Sequence, residues 1–73
     1  MRKDIKANTP GTVLTIEVSP GDLVATDQVL VRLEVMKMEI PVESPVAGRV
    51  TSILVKAGEA IDDGQTLLIL DAT

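Results

Sequence analysis

Residues 10–34 read PGTVLTIEVSPGDLVATDQVLVRLE, and residues 47–71 read AGRVTSILVKAGEAIDDGQTLLILD. Moved by 37 positions, the first stretch lies on the second without a gap. Eight of the 25 positions are identical: Gly11/Gly48, Val13/Val50, Ile16/Ile53, Val18/Val55, Gly21/Gly58, Gln28/Gln65, Leu30/Leu67 and Leu33/Leu70. Thr15/Ser52, Asp22/Glu59, Val24/Ile61 and Glu34/Asp71 are conservative pairs. Shared strand composition alone would match apolar positions. It would not match glycines and a glutamine, so the two stretches are read as a duplication.

Each half carries the same local signals. A Pro or small residue before Gly11 or Gly48 marks a turn. A strand is expected over roughly 12–18 and 49–55. A tight turn follows at Pro20-Gly21-Asp22 or Ala57-Gly58-Glu59. A short extended piece holds Val24 or Ile61, a second turn lies at Thr26-Asp27 or Asp63-Gly64, and a second strand covers roughly 28–34 and 65–71. Asp27 stands where the other half has Gly64; Asp tolerates a left-handed backbone, so the turn is expected to survive. No stretch sustains a 3.6-residue period, and no helix is expected. Neither half alone can bury both faces of its strands. Two halves packed face to face can, which predicts an all-β sandwich with pseudo-two-fold symmetry. The 37-residue shift carries position 37 onto positions 0 and 74, just beyond the two ends of the sequence. The connector around Lys37 is therefore expected at one end of the sandwich, with the N- and C-termini together at the other.

Composition fits this reading and removes several functions. The 73 residues suffice for one domain, taken as residues 1–73. Apolar residues make up 45% and none is aromatic, so the core must be aliphatic. With no Cys and no His, disulfides, thiolate zinc sites and the usual nucleophile–base pairs are unavailable. Ser19, Ser44 and Ser52 have no His to activate them. A chain this short can hardly wall off a substrate pocket, so it is not expected to be an enzyme in itself. A net charge of −4 disfavours nucleic acid. No apolar run is long enough for membrane insertion. Asp4 and Lys6 interrupt any signal-peptide core after Met1-Arg2-Lys3, so a cytoplasmic location is expected.

The connector, Glu34-Val35-Met36-Lys37-Met38-Glu39-Ile40-Pro41, departs from the rest of the chain. It joins the last strand of the first half to an extended run, Met38–Val42. In a tight hairpin, Met36 and Lys37 fall at the tip. Two-residue hairpins favour Asn-Gly, Asp-Gly or Gly-X there, because the backbone needs positive φ. This chain uses Gly, Pro or Asp at its other turns and none of them here. A turn that breaks its local rule points to function. The competing reading is that Lys37 is a solvated surface charge and that Met36 and Met38 fill gaps in the core. Lys3, Lys6 and Lys56 have no comparable setting. Pro41 and Pro45 keep the start of the second half extended and limit edge pairing.

Val35-Met36-Lys37-Met38 resembles the (Ala/Val)-Met-Lys-Met signature of the biotin/lipoyl attachment family. Thr9-Pro10-Gly11-Thr12-Val13 resembles the family's Pro-x-Pro-Gly-x-Val opening, and Pro45-Val46-Ala47-Gly48 resembles its second-half counterpart. The resemblance runs from about Ile5 to Leu70. It implies a flattened sandwich of two four-stranded antiparallel sheets and a biotinyl domain of the biotin carboxyl carrier type. Lipoyl domains resemble this fold but present Asp-Lys-Ala at the tip, so the flanking methionines favour biotin. The thumb inserted in some acetyl-CoA carboxylase carriers has no room in the ungapped repeat. That favours compact carriers of other acyl-CoA or oxo-acid carboxylases. A start so close to Met1 suggests a separate subunit.

On this resemblance, Lys37 Nζ forms an amide with biotin, made by a biotin protein ligase. A biotin carboxylase then loads the tethered biotin, and a carboxyltransferase unloads it onto an acceptor. Met36 and Met38 form a recognition collar, Val35 completes the motif, and Glu34 and Glu39 are candidate ligase contacts. For the two glutamates a solvated charge is the competing reading. A lipoyl-type carrier and an unmodified structural or interaction module are the alternatives.

Overall fold

In the computed structural model, which describes residues 1–73, every regular element is a strand. They are β1 (Arg2–Lys6), β2 (Gly11–Ile16), β3 (Leu23–Val24), β4 (Val29–Val35), β5 (Met38–Glu43), β6 (Gly48–Ile53), β7 (Ala60–Ile61) and β8 (Thr66–Ala72). One sheet has the order β1-β8-β6-β3 and the other β5-β4-β2-β7. All ladders are antiparallel. Adding 37 to the residue numbers of β1, β2, β3 and β4 gives positions within β5, β6, β7 and β8, and the two sheet orders interchange. Even the irregularities repeat: β2 shifts register against β4 between Val13 and Thr15, and β6 against β8 between Val50 and Ser52.

Alternation sets which face each strand buries. In β4, Val31 and Leu33 are fully buried while Glu34 is exposed; in β8, Leu68 and Leu70 are buried while Asp71 is exposed. Leu30, Val31, Leu33, Leu67, Leu68 and Leu70 each show 0% exposure, and they form the centre of a core of 14 aliphatic residues. Each contributes roughly 1.5–3 kcal/mol by leaving water. β4 and β8 are therefore the middle of the sandwich, each flanked on both sides.

The repeated glutamines have a job at the turns. Gln28 Oε1 accepts a bond from the Ala25 amide at 3.0 Å, and Gln65 Oε1 accepts one from Asp62 at 3.0 Å. Asp22 and Glu59 act alike one turn earlier, accepting from the Ser19 and Lys56 amides at 2.9 and 3.2 Å. Asp27 takes the left-handed conformation at φ 71°, as Gly64 does at φ 83°. Each turn thus supplies its own acceptors, and the strands between them enter at a fixed register.

Two features differ from the sequence reading. Strand ends fall one or two residues from the expected limits, and Val18 and Val55 are buried just beyond β2 and β6. The repeat pattern also leaves β1 unmarked. Four of its five residues are charged and only Ile5 is buried, so it has almost no apolar alternation to read. It is held instead by its ladder to β8.

The long axis measures 34 Å against 18 and 17 Å across. β5 leads away from the Met36-Lys37 turn for six residues, roughly 20 Å at strand rise. Ser44–Ala47 carries the chain on to Gly48, which pairs with Ala72. Beside it the Ala72 amide donates to the Met1 carbonyl at 2.7 Å, and the Met1 amine bonds Asp71 Oδ1 at 2.8 Å. The termini thus meet at the end opposite the Lys37 turn.

Candidate functional site

The turn is built by the last pair of the β4–β5 ladder, Val35 opposite Met38. Between them Met36 has φ 51° and Lys37 φ 66°. Positive φ at both loop positions of a two-residue hairpin defines a type I′ turn, whose twist matches that of the flanking strands. Side chains other than Gly, Asn and Asp resist this basin, at roughly 1–2 kcal/mol per residue. Asp27 is the one other non-glycine residue with positive φ, and it is of a tolerated type. The two disfavoured residues of the chain therefore stand side by side at its tip.

The ladder beneath holds that geometry. Val35 is half-buried and packs on the core. It lies over Gly11, where a Cβ would come within 2.9 Å of Val35 Cγ2 and 2.7 Å of the Glu34 carbonyl oxygen. The missing side chain at Gly11 lets β2 close against the base of the hairpin. Above this base the side chains are free. Met36 is 91% and Met38 63% exposed, and Lys37 is exposed between them. None of the molecule's four ion pairs includes Lys37. The Met residues do not fill core gaps; both stand in solvent around the lysine.

Glu34 and Glu39 face each other across β4 and β5 on the outer side of the sheet. Like charges so placed repel. Arg32, also on β4, offsets this: its Nη1 donates to Glu39 Oε1 at 3.1 Å, and its Nε lies 3.9 Å from Glu17 Oε2. Thr15 Oγ1 donates to the same Glu17 oxygen at 2.6 Å. Glu39 is thus already engaged within the chain, whereas Glu34 has no side-chain bond. These pairs are exposed and contribute at most about 1 kcal/mol each. Arg32 is absent from the sequence candidates because its role depends on the β4–β5 register, which the linear chain does not display.

The tip therefore has an acidic outer face, an apolar inner base and one free primary amine at its summit. The molecule's single cavity lies elsewhere. It is an open groove of about 340 Å³ between edge strands β1 and β5, lined in part by Lys3, Ile5, Lys6, Ile40 and Val42 and touching none of residues 34–39. Nothing at the tip encloses a substrate; it can be entered or gripped only from outside. An exposed amine on a rigid turn fits covalent attachment of a carboxylic acid through an amide bond.

The family described as "Biotin-requiring enzyme", the biotin/lipoyl family, matches residues 3–70. The chain belongs to that family. It is 41% identical over 70 residues to a biotinylated protein TB7.3 homolog of Mycobacterium leprae, covering 96% of this chain and 99% of that one. It is 39% identical over 64 residues to the biotin carboxyl carrier protein of Streptococcus mutans, covering 88% of this chain and 49% of the relative. It is also 41% identical over 64 residues to the dihydrolipoyllysine-residue acetyltransferase component of the pyruvate dehydrogenase complex of Pseudomonas aeruginosa, covering 88% of this chain and 12% of that protein. Among solved structures, a single-chain, multi-domain long-chain acyl-CoA carboxylase matches with TM-score 0.94 and 30% identity, over 99% of this chain and 7% of that one. The chain thus spans nearly the whole of one relative and only a portion of the others. No helix is long and apolar enough to cross a membrane.

Proposed function

We propose that this chain is a biotin carboxyl carrier, with Lys37 as its attachment point. The observation that carries the reading is the exposed type I′ turn with Met and Lys in its two left-handed positions. Stability alone would choose Asn-Gly. The retained pair has a cost, and a lysine amine presented at the far end of a rigid body explains it. The biotin-named relatives support biotin as the acid attached.

In this role the chain does three things. Lys37 Nζ, free of ion pairs, loses its proton and attacks an activated biotin carboxyl held by a biotin protein ligase; the C–N amide bond forms as the bond to the activating group breaks, and that group leaves on the ligase. Met36 and Met38 offer that enzyme a pliable apolar collar. The β4–β5 ladder then holds the tip while the arm sweeps a radius of about 15 Å. Bound biotin supplies a nitrogen that carries a carboxyl group between a biotin carboxylase and a carboxyltransferase. Tethering keeps that group at high effective concentration at both sites. The whole set forms a multicomponent acyl-CoA or oxo-acid carboxylase in which this chain is the carrier and the catalysis belongs to its partners. The setting is cytoplasmic. Val35 anchors the motif to the core, and Glu34 rather than Glu39 is the freer acid for ligase contact.

The test is the intact mass of the protein coexpressed with a biotin ligase in biotin-rich medium, beside Lys37→Arg. One biotin-sized increment, missing from the variant, is the expected result. No increment overturns the assignment. The lipoyl-bearing relative makes lipoate the next acid to try, and its increment has a different mass.

A further inference from the structure

The chain has no Cys, His, Phe, Tyr or Trp, so its three methionines are its only readily oxidised side chains. Two of the three, Met36 and Met38, bracket Lys37, and the third is Met1 at the opposite end. The core contains no sulfur. Met36 at 91% and Met38 at 63% exposure are open to any dissolved oxidant. Peroxide reacting with this molecule is therefore directed to its ends, and at one of them to the lysine tip.

Building on the carrier reading, we infer that Met36 and Met38 form a reversible peroxide-sensitive modification site that controls how partner enzymes engage Lys37. In the reaction the thioether sulfur takes one oxygen atom from hydrogen peroxide. The sulfur is oxidised by two electrons, the O–O bond breaks, and the peroxide leaves as water. A dithiol-dependent sulfoxide reductase reverses the step, releasing the oxygen as water and leaving a disulfide on the reductant.

The consequence follows from the setting. As thioethers, the two side chains present soft apolar surface that a partner can desolvate cheaply. As sulfoxides, they present strong dipoles whose burial without new hydrogen bonds is costly. The hairpin itself is indifferent, because the Val35–Met38 pair is a backbone pairing and the Met36 side chain stands in solvent. Oxidation therefore alters recognition and leaves the fold intact.

The experiment treats the purified protein with graded hydrogen peroxide and maps each methionine by peptide mass. Biotin transfer by a biotin protein ligase is then timed. In parallel, protein oxidised first is biotinylated to completion, so that the thioether of biotin itself never meets peroxide, and its carboxylation by biotin carboxylase is timed. The expected result is a loss of about tenfold in one or both rates, the scale of one good contact. It follows Met36 and Met38 oxidation dose by dose, reverses with methionine sulfoxide reductase and dithiothreitol, and leaves the melting temperature unchanged. Unchanged rates after full oxidation of Met36 and Met38 overturn the inference. So does a loss that follows Met1 oxidation or that comes with a lowered melting temperature. If the untreated protein accepts no biotin, the carrier reading fails and takes this inference with it. If oxidised and untreated protein accept biotin and carboxyl equally, only the inference fails.

Discussion

Met36 and Lys37 spend conformational energy where the rest of the chain saves it. The other positive-φ residues are Gly21, Asp27, Gly58 and Gly64, all suited to that backbone. Replacing Met36 with Asn supplies the residue a type I′ turn prefers at its first position. Met36→Asn should stabilise the protein by roughly 1 kcal/mol, raising the melting temperature by about 4–8 °C in a domain this small. Calorimetry on the variant checks this. The same change should slow biotin transfer, since it removes half of the collar. A variant both more stable and equally active would show that Met36 serves neither turn nor recognition. The oddity of this turn was readable from residue types alone, because Met-Lys stands where Gly, Pro or Asp stands elsewhere. The Arg32–Glu39 pair was not readable, because its partners are seven residues apart and meet only in the ladder.

At the scale of elements, the hairpin depends on its contact with β2. An added Cβ at Gly11 meets the Glu34 carbonyl oxygen at 2.7 Å and Val35 Cγ2 at 2.9 Å, and the carbonyl belongs to backbone that cannot swing aside. Gly11→Ala should therefore part β2 from β4 at the base of the tip, costing about 1–3 kcal/mol. Amide exchange checks it: protection of the β2–β4 ladder near Glu34 should fall before that of the β6–β8 ladder. Uniform loss would mean that the contact is not local. Strands with apolar alternation, β2, β4, β6 and β8, were legible in the sequence to within two residues. β3 and β7, two residues each, were visible only as single apolar positions between turns. β1 was illegible, since its order comes from hydrogen bonds to β8 rather than from its own pattern.

At the scale of the molecule, acid should weaken the end that carries the termini. A hydrogen bond from Arg2 holds the Asp4 carboxyl below the usual aspartate range, and the N-terminal amine does the same for Asp71. A carboxyl depressed in the folded state stabilises above its unfolded pKa, and that contribution is lost as pH falls through the folded value. Stability should therefore fall below about pH 4. Arg2→Ala should bring Asp4 back toward its ordinary titration, followed by carboxyl NMR shifts, and flatten part of that acid slope. An unshifted Asp4 would show that the Arg2–Asp4 bond, 2.8 Å in the structure, does not persist in solution. The expected fold class, two four-stranded antiparallel sheets with a hairpin and the termini at opposite ends, agrees with the structure. The sandwich and the opposite placement of hairpin and termini could be reached from the repeat before any single strand is located, whereas the count of four strands in each sheet came with the family resemblance.

The meeting of Ala72 with Met1 has a wider meaning when set beside the Val35–Met38 pair. Counting on by 37, Val35 becomes Ala72, Met36 becomes Thr73, and Met38 becomes Met1 of the next round. The molecule is in effect two equivalent laps, and the Ala72–Met1 contact lies at the pole that the repeat pairs with the Lys37 turn. The fold therefore has two like poles, and only the one at Val35–Met38 carries a hairpin.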